Sequence, residues 1–228
     1  MMQTTAAILT ELEELGTEQN SVIYQRHGAQ EPLFGVSYAN LNAIKKRIKV
    51  NHDMALELWA TGNHDARVLA TMIVDPKQAD DILLENWVHD LNNYVLSDAL
   101  SGYIGKTTFA REKAEQWTQL ADEWIASVGW NLMAQLAINN KSLDDAYFET
   151  YIGIIERDIN YSKNRVRHSM NNALISVGMR NDELEGLAIA AAKRIGKVIV
   201  NHGQTGCKTP DAIPYIKKGA ARRRKKKR

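Results

Sequence analysis

HDARVLATMIV, His64 to Val74, recurs in outline three more times along the chain. NYVLSDALSGYI begins at Asn93, GWNLMAQLAI at Gly129 and RVRHSMNNALISVG at Arg165, so the starts lie 29, 36 and 36 residues apart. Each segment repeats Ala, Leu, Ile, Val or Met at helical spacing, and strand-like alternation is scarce. Each is preceded by a second helical pattern: MALELWA from Met54, ADDILLENWVHDL from Ala79, REKAEQWTQLADEWIASV from Arg111 and LDDAYFETYIGIIERDI from Leu143. One interval therefore holds two helices and two short turns. Such a pair cannot bury its apolar faces alone, so successive pairs are expected to stack into an α-solenoid, one helix of each pair lining a concave face. The expected fold class is all-α, with a globular helical bundle as the competing arrangement.

The chain has 228 residues, 44% of them hydrophobic, enough for a large core. Its prolines, Pro32, Pro76, Pro210 and Pro214, leave long intervals open to helix. No apolar run has the length of a membrane span, and MMQTTAAILTELEEL carries acids where a secretory signal carries Lys or Arg. With the single Cys207, this predicts a cytoplasmic, reducing location. The last seven residues, RRRKKKR from Arg222 to Arg228, are all basic; without them 22 Lys and Arg face 27 acids, a body of about −5. We expect one repeat domain over residues 1–221 and a disordered basic tail over 222–228, able to touch phosphate, address the protein or solubilise it. A first helix should end near Leu15-Gly16, and after a Gly/Pro-bearing connection a helix capped by Ser37 should end in the basic cluster Lys45, Lys46, Arg47 and Lys49.

Asp98 sits in the apolar-looking stretch NNYVLSDALSGYI. At a hundred degrees per residue, Leu96, Leu100 and Tyr103 form the inner stripe, and Asp98 lies roughly opposite with Tyr94, Ser101 and Gly102. An aromatic one turn from a lone carboxylate, with small residues that permit close approach, suits a cationic or base-like ligand. An acid that caps or pairs with a neighbouring helix is the alternative, and pattern alone favours it.

The histidines, His27, His52, His64, His89, His168 and His202, never fall in ligand spacing with Cys207 or acids, so no metal is expected. Walker A, dinucleotide and nucleophile-elbow motifs are missing, so no nucleotide cofactor is expected. Near the C-terminus, Thr209-Pro210-Asp211 reads as an N-cap, first position and first-turn acid of a helix, with Lys208 beside it. That arrangement is either an anion site or a well-capped terminal helix, the second being the commoner use.

The order FGVSYANLNAIKKRIK, LWATGNHDARVLATMI, NWVHDLNNYVLSDAL, WNLMAQLAI, VRHSMNNALISVG resembles the HEAT-repeat DNA alkylation repair proteins, the bacterial alkylpurine DNA glycosylase family. The likeness spans roughly Phe34 to Gly178, and VNHGQTGCKTPDAIPYI looks like the ending of a less characterised branch. It implies a right-handed solenoid of HEAT-like repeats holding duplex DNA, without cofactor or metal, as a monomer. It also implies excision of cationic N3- or N7-alkylated purines by hydrolysis of the glycosidic bond. Asp98 matches the family's catalytic acid, which would stabilise oxocarbenium character and position water, since alkylation already makes the base a good leaving group. Tyr94 stands where the characterised branch has Trp, a second expected Trp falls at about Asn172, and an expected phosphate-contacting Arg falls near Met133. Asn171, Asn172 and Arg167 are the candidates to fill in. The rim toward the DNA backbone would draw on Lys45, Lys46, Lys106, Lys163, Arg165, Arg167 and Lys208. Two other uses remain open: a non-catalytic DNA-binding solenoid, and a protein-interaction scaffold, which the acidic body favours.

Overall fold

The computed structural model describes residues 4–226. Among these the chain forms thirteen α-helices and one 3₁₀ turn, and it divides into two compact units. The first unit runs to Phe109 and takes in Gly203–Thr205. It contains α1 (Thr5–Leu15), α2 (Glu18–Arg26), α3 (Tyr38–Ile48), α4 (His52–Ala60), α5 (His64–Ile73), α6 (Asp81–His89) and α7 (Tyr94–Ile104). The second unit holds α8 (Ala110–Trp117), α9 (Glu123–Asn139), α10 (Asp145–Asp158), α11 (Asn164–Gly178), α12 (Asp182–Ile195) and α13 (Ala212–Lys226).

Capping explains where most helices start. Thr4, Thr17, Ser37, Asn51, Asn63, Asp80, Asn93, Asp122, Asp144 and Asn181 each stand in extended backbone and accept a hydrogen bond from a first-turn N–H. Each such cap contributes about 1 kcal/mol. The anticipated helical pairs form: α4 precedes α5, α6 precedes α7, and α10 precedes α11. One pair is cut differently. The run from Arg111 breaks after Trp117, because Asp122 caps a new helix through the N–H groups of Trp124 and Ile125, and α9 therefore begins before Gly129. At Gly129 any Cβ would stand 2.6 Å from the Thr118 nitrogen, which is how closely α9 passes the end of α8.

In the first unit α5 packs on α4 and α7, and the Trp59 and Trp87 rings stack at 4.2 Å with Tyr103 beside them. In the second, α11 and α8 pack on α9, with Trp117, Trp130 and Phe148 fully buried. Offset aromatic packing of this kind supplies large buried area plus about 1 kcal/mol per ring pair.

The C-terminus departs from expectation. Residues 222–226 were to be disordered, yet α13 continues through Lys226. The reason is charge: α12 opens with Asp182, Glu183 and Glu185. Arg223 donates to the Met179 carbonyl at 2.7 Å, and Arg224 reaches Asp182 at 2.9 Å and Glu185 at 2.5 Å. Opposite charges at a helix start relieve the repulsion that would otherwise unwind the basic run. The rest of the tail expectation, residues 227–228, lies outside the described residues. The terminal helix also starts later than Thr209 suggested: Asp211 accepts from the Ile213 N–H at 3.2 Å, while the Thr209 hydroxyl meets His202 Nε2 at 3.0 Å.

Candidate functional site

α7 carries the acid that the sequence singled out. Asn93 is buried and accepts from the N–H groups of Val95 and Leu96, which fixes the start of the helix and hence its rotation. Leu96, Leu100 and Tyr103 are buried, and Asp98 is exposed on the other side. Gly102 beside it is open, since a Cβ there would meet nothing within 4 Å. Ser101 does not join this open face: it is buried, and its hydroxyl turns back to the Asp98 carbonyl at 2.9 Å.

Tyr94, one turn before Asp98, is half-buried and its hydroxyl hydrogen-bonds His27 Nδ1, with the two rings edge to face at 5.8 Å. Tyr38, the first residue of α3, exposes 45% of its surface. Its hydroxyl is nevertheless pushed up to about 12, first by loss of solvation and then by Tyr24, Asp98, Asp65 and Tyr94. Tyr38 thus lies within electrostatic reach of both Asp98 and Tyr94. Behind it, Tyr24 donates to the Val36 carbonyl at 2.8 Å, and its ring lies 6.2 Å from that of His64. Burial holds the Tyr24 phenol above its usual range, aided by Asp65, and holds His64 below its own, against the opposing pull of Asp65.

Asp65 anchors this region. It is 1% exposed and accepts three backbone N–H groups, from Phe34 at 2.8 Å, Gly35 at 3.0 Å and Val36 at 2.9 Å. Gly35 has φ +78°, and a Cβ there would collide with the Thr17 carbonyl and Ser21. The sequence reading missed His27, Tyr38 and Asp65. An acid two residues after the cap Asn63, facing a Gly-bearing loop, was the available signal for Asp65.

The cations anticipated for a DNA rim are distributed over both units. In the first, Lys45 is half-buried and Lys46 exposed in the last turn of α3, a position that also suits the helix dipole, and Lys106 is exposed just after α7. In the second, Lys163 precedes α11, exposed and without a capping bond. Arg165 is buried, its backbone N–H donating to Glu123 at 2.7 Å. Arg167 is half-buried and donates to the Ile199 carbonyl at 3.1 Å. Lys208 is exposed in the loop after α12. Asn172 is half-buried, whereas Asn171 is buried and donates to the Pro210 carbonyl at 2.9 Å. Met133 is fully buried in α9. Among the described residues no three His, Cys, Asp or Glu side chains group so as to hold a metal ion, and no helix is long and apolar enough to cross a membrane.

On α11 the His168 ring meets His202 edge to face at 5.6 Å. Burial, then Arg165 and His202, hold His168 down at about 4 against an ordinary 6.5. Between these values the unfolded chain binds a proton that the folded chain refuses. The contribution to stability is therefore full above about pH 6.5 and declines as pH falls toward about 4. His168→Gln is expected to flatten the loss of unfolding free energy between about pH 7 and pH 5 by on the order of 1 kcal/mol, read in urea melts. An unchanged pH slope would contradict this.

A family model described as DNA alkylation repair enzyme matches residues 8–216. The chain belongs to that family. This DNA alkylation repair family member is 33% identical over 219 residues to the uncharacterized protein Lin0241 of Listeria innocua, and equally to Lmo0209 of Listeria monocytogenes. Each match covers 93% of this chain and 96% of the relative. A solved structure at 31% identity superimposes with a TM-score of 0.88 over 97% of this chain and 96% of its own. It is described as "a new family of proteins related to the HEAT-like repeat DNA glycosylases with affinity for branched DNA structures". This family member thus has an all-α, HEAT-like repeat fold of the DNA glycosylase-related kind.

Proposed function

We propose that this chain is a DNA-structure-binding member of its family, holding branched DNA through the phosphate backbone. The observation that carries the reading is Met133, fully buried in α9 where the family resemblance puts a phosphate-contacting Arg. With Asn172 in the place of an expected Trp, the cradle that would clasp one damaged nucleotide lacks two of its parts. The likeness over nearly the full length to a protein with affinity for branched DNA supports the same conclusion. Charge gives it a physical basis. Away from the C-terminal run the body is acidic, so a simple duplex gains little, whereas a junction brings phosphates of several arms near local clusters such as Lys45 and Lys46 or Lys163.

A second reading, excision of cationic N3- or N7-alkylpurines, is favoured by Asp98, exposed on α7 one turn from Tyr94 and within electrostatic reach of Tyr38. A carboxylate so placed can stabilise a developing oxocarbenium ion and orient water. One experiment separates the two. Mobility shifts compare a four-way junction with a duplex of equal length at about 0.15 M salt, and the same protein is assayed for release of 7-methylguanine and 3-methyladenine. We expect junction binding at least about tenfold tighter, retained in Asp98→Asn, with base release no faster than in that variant. Equal affinity for junction and duplex sinks the first reading; release abolished by Asp98→Asn establishes the second.

A further inference from the structure

Within the second unit, α11, α12, the segments 195–202 and 207–211 and the start of α13 line a cavity of about 880 Å³. Small-molecule sites commonly occupy about 300–1,000 Å³ and combine apolar walls with a few placed polar groups. Leu174, Ile195, Val200, Pro210 and Ile213 give this one apolar walls. Lys193, Lys197 and Lys208 also line it, all exposed, and none forms an ion pair among the described residues. The acid in the lining, Asp211, is engaged by the Ile213 N–H at 3.2 Å.

Asn171 is the buried polar residue of the lining. It lines the cavity at 1% exposure, and donation from Nδ2 to the Pro210 carbonyl fixes which way its amide points. That leaves Oδ1 buried and without a hydrogen-bond partner among the described residues. With under 1 Å² of accessible surface, that oxygen stands behind the cavity wall rather than on it. The occupant must offer a body that can lie on apolar walls and an anionic group that reaches the lysines.

We propose that this cavity binds a nucleotide, with base and sugar against the apolar walls and the phosphate at Lys193, Lys197 and Lys208. It is no Walker-type phosphate loop, since side-chain ammonium groups rather than a glycine-rich backbone face the anion. A free mononucleotide and an extrahelical nucleotide in DNA present the same chemistry. This goes beyond the backbone-binding reading and does not depend on it.

The test uses the full chain and the fluorescence of 2-aminopurine, as the free deoxynucleoside monophosphate and as a single unpaired nucleotide in a duplex. A saturable change with a dissociation constant below about 1 mM for either probe is expected. A response to the free probe alone identifies a mononucleotide ligand; a response to the bulged duplex alone identifies an extrahelical one. Lys197→Glu with Lys208→Glu, both on the surface, should weaken binding at least about tenfold. Ala192→Trp, which fills the cavity from α12, should abolish it while junction binding and the thermal midpoint persist. No saturable response to either probe overturns the proposal, and so does binding that survives both the charge reversals and the filled cavity. Loss of junction binding in wild type with the 2-aminopurine response intact would overturn the backbone reading alone.

Discussion

Asp65→Ala is expected to lower the unfolding free energy by about 4 kcal/mol, more than any single surface change in the first unit. Three N–H donors, those of Phe34, Gly35 and Val36, converge on that carboxylate. Alanine leaves all three inside the protein with no acceptor, and each such loss costs about 1–3 kcal/mol. For a chain of this size the thermal midpoint should fall by roughly 10 °C. Asp65→Asn keeps one acceptor oxygen but turns an NH₂ group toward a donor, so about half of the loss should remain. The variant also tests the candidate site, because the loop that Asp65 holds leads through Ser37 into α3 and positions Tyr38. A midpoint within about 2 °C of wild type would show that the three N–H groups find other partners.

Arg180→Ala should be comparably damaging in the second unit, at about 3–5 kcal/mol. The side chain, 7% exposed, lies in the turn between α11 and α12. It donates to the carbonyls of Ala137 at 3.0 Å, Asn140 at 2.6 Å and Leu143 at 2.5 Å. It also lies 4.6 Å over the Phe148 ring and 3.8 Å from Asp145. One guanidinium thus closes the C-terminus of α9, where carbonyls lack helical partners and the dipole favours a cation. Lysine cannot reproduce this, since an ammonium lacks the flat fork that serves three acceptors while stacking on a ring. Arg180→Lys should therefore recover less than half of the lost stability in urea melts. Full recovery would mean that charge alone explains the position.

The repeat architecture was readable because helical periodicity and caps are local signals. Ser37, Asn63 and Asn93 announce their helices within four residues of sequence. Asp98 was readable for the same reason: projection of a regular helix separates it from Leu96 and Leu100 without any tertiary knowledge. What escaped depends on distant partners. His27 meets Tyr94 from 67 residues away, and Tyr38 enters from the irregular N-terminal segment. The basic C-terminal run looked unable to fold because its acidic complement, Asp182 and Glu185, lies some forty residues earlier. Asn171 was expected to reach backbone phosphate, yet it is buried and an amide N–H holds the Pro210 carbonyl, a partner 39 residues away.

The makeup of the first unit bears on how a growing chain completes itself. Every helix of that unit is synthesised by Phe109, and its main ties, such as Asp65 to the 34–36 loop, span only about thirty residues. Short loops of this kind close early and cheaply. Yet Gly203–Thr205 also belong to it, and they are made only after α8 to α12. All seven helices of this unit are thus translated well before the three loop residues that join it.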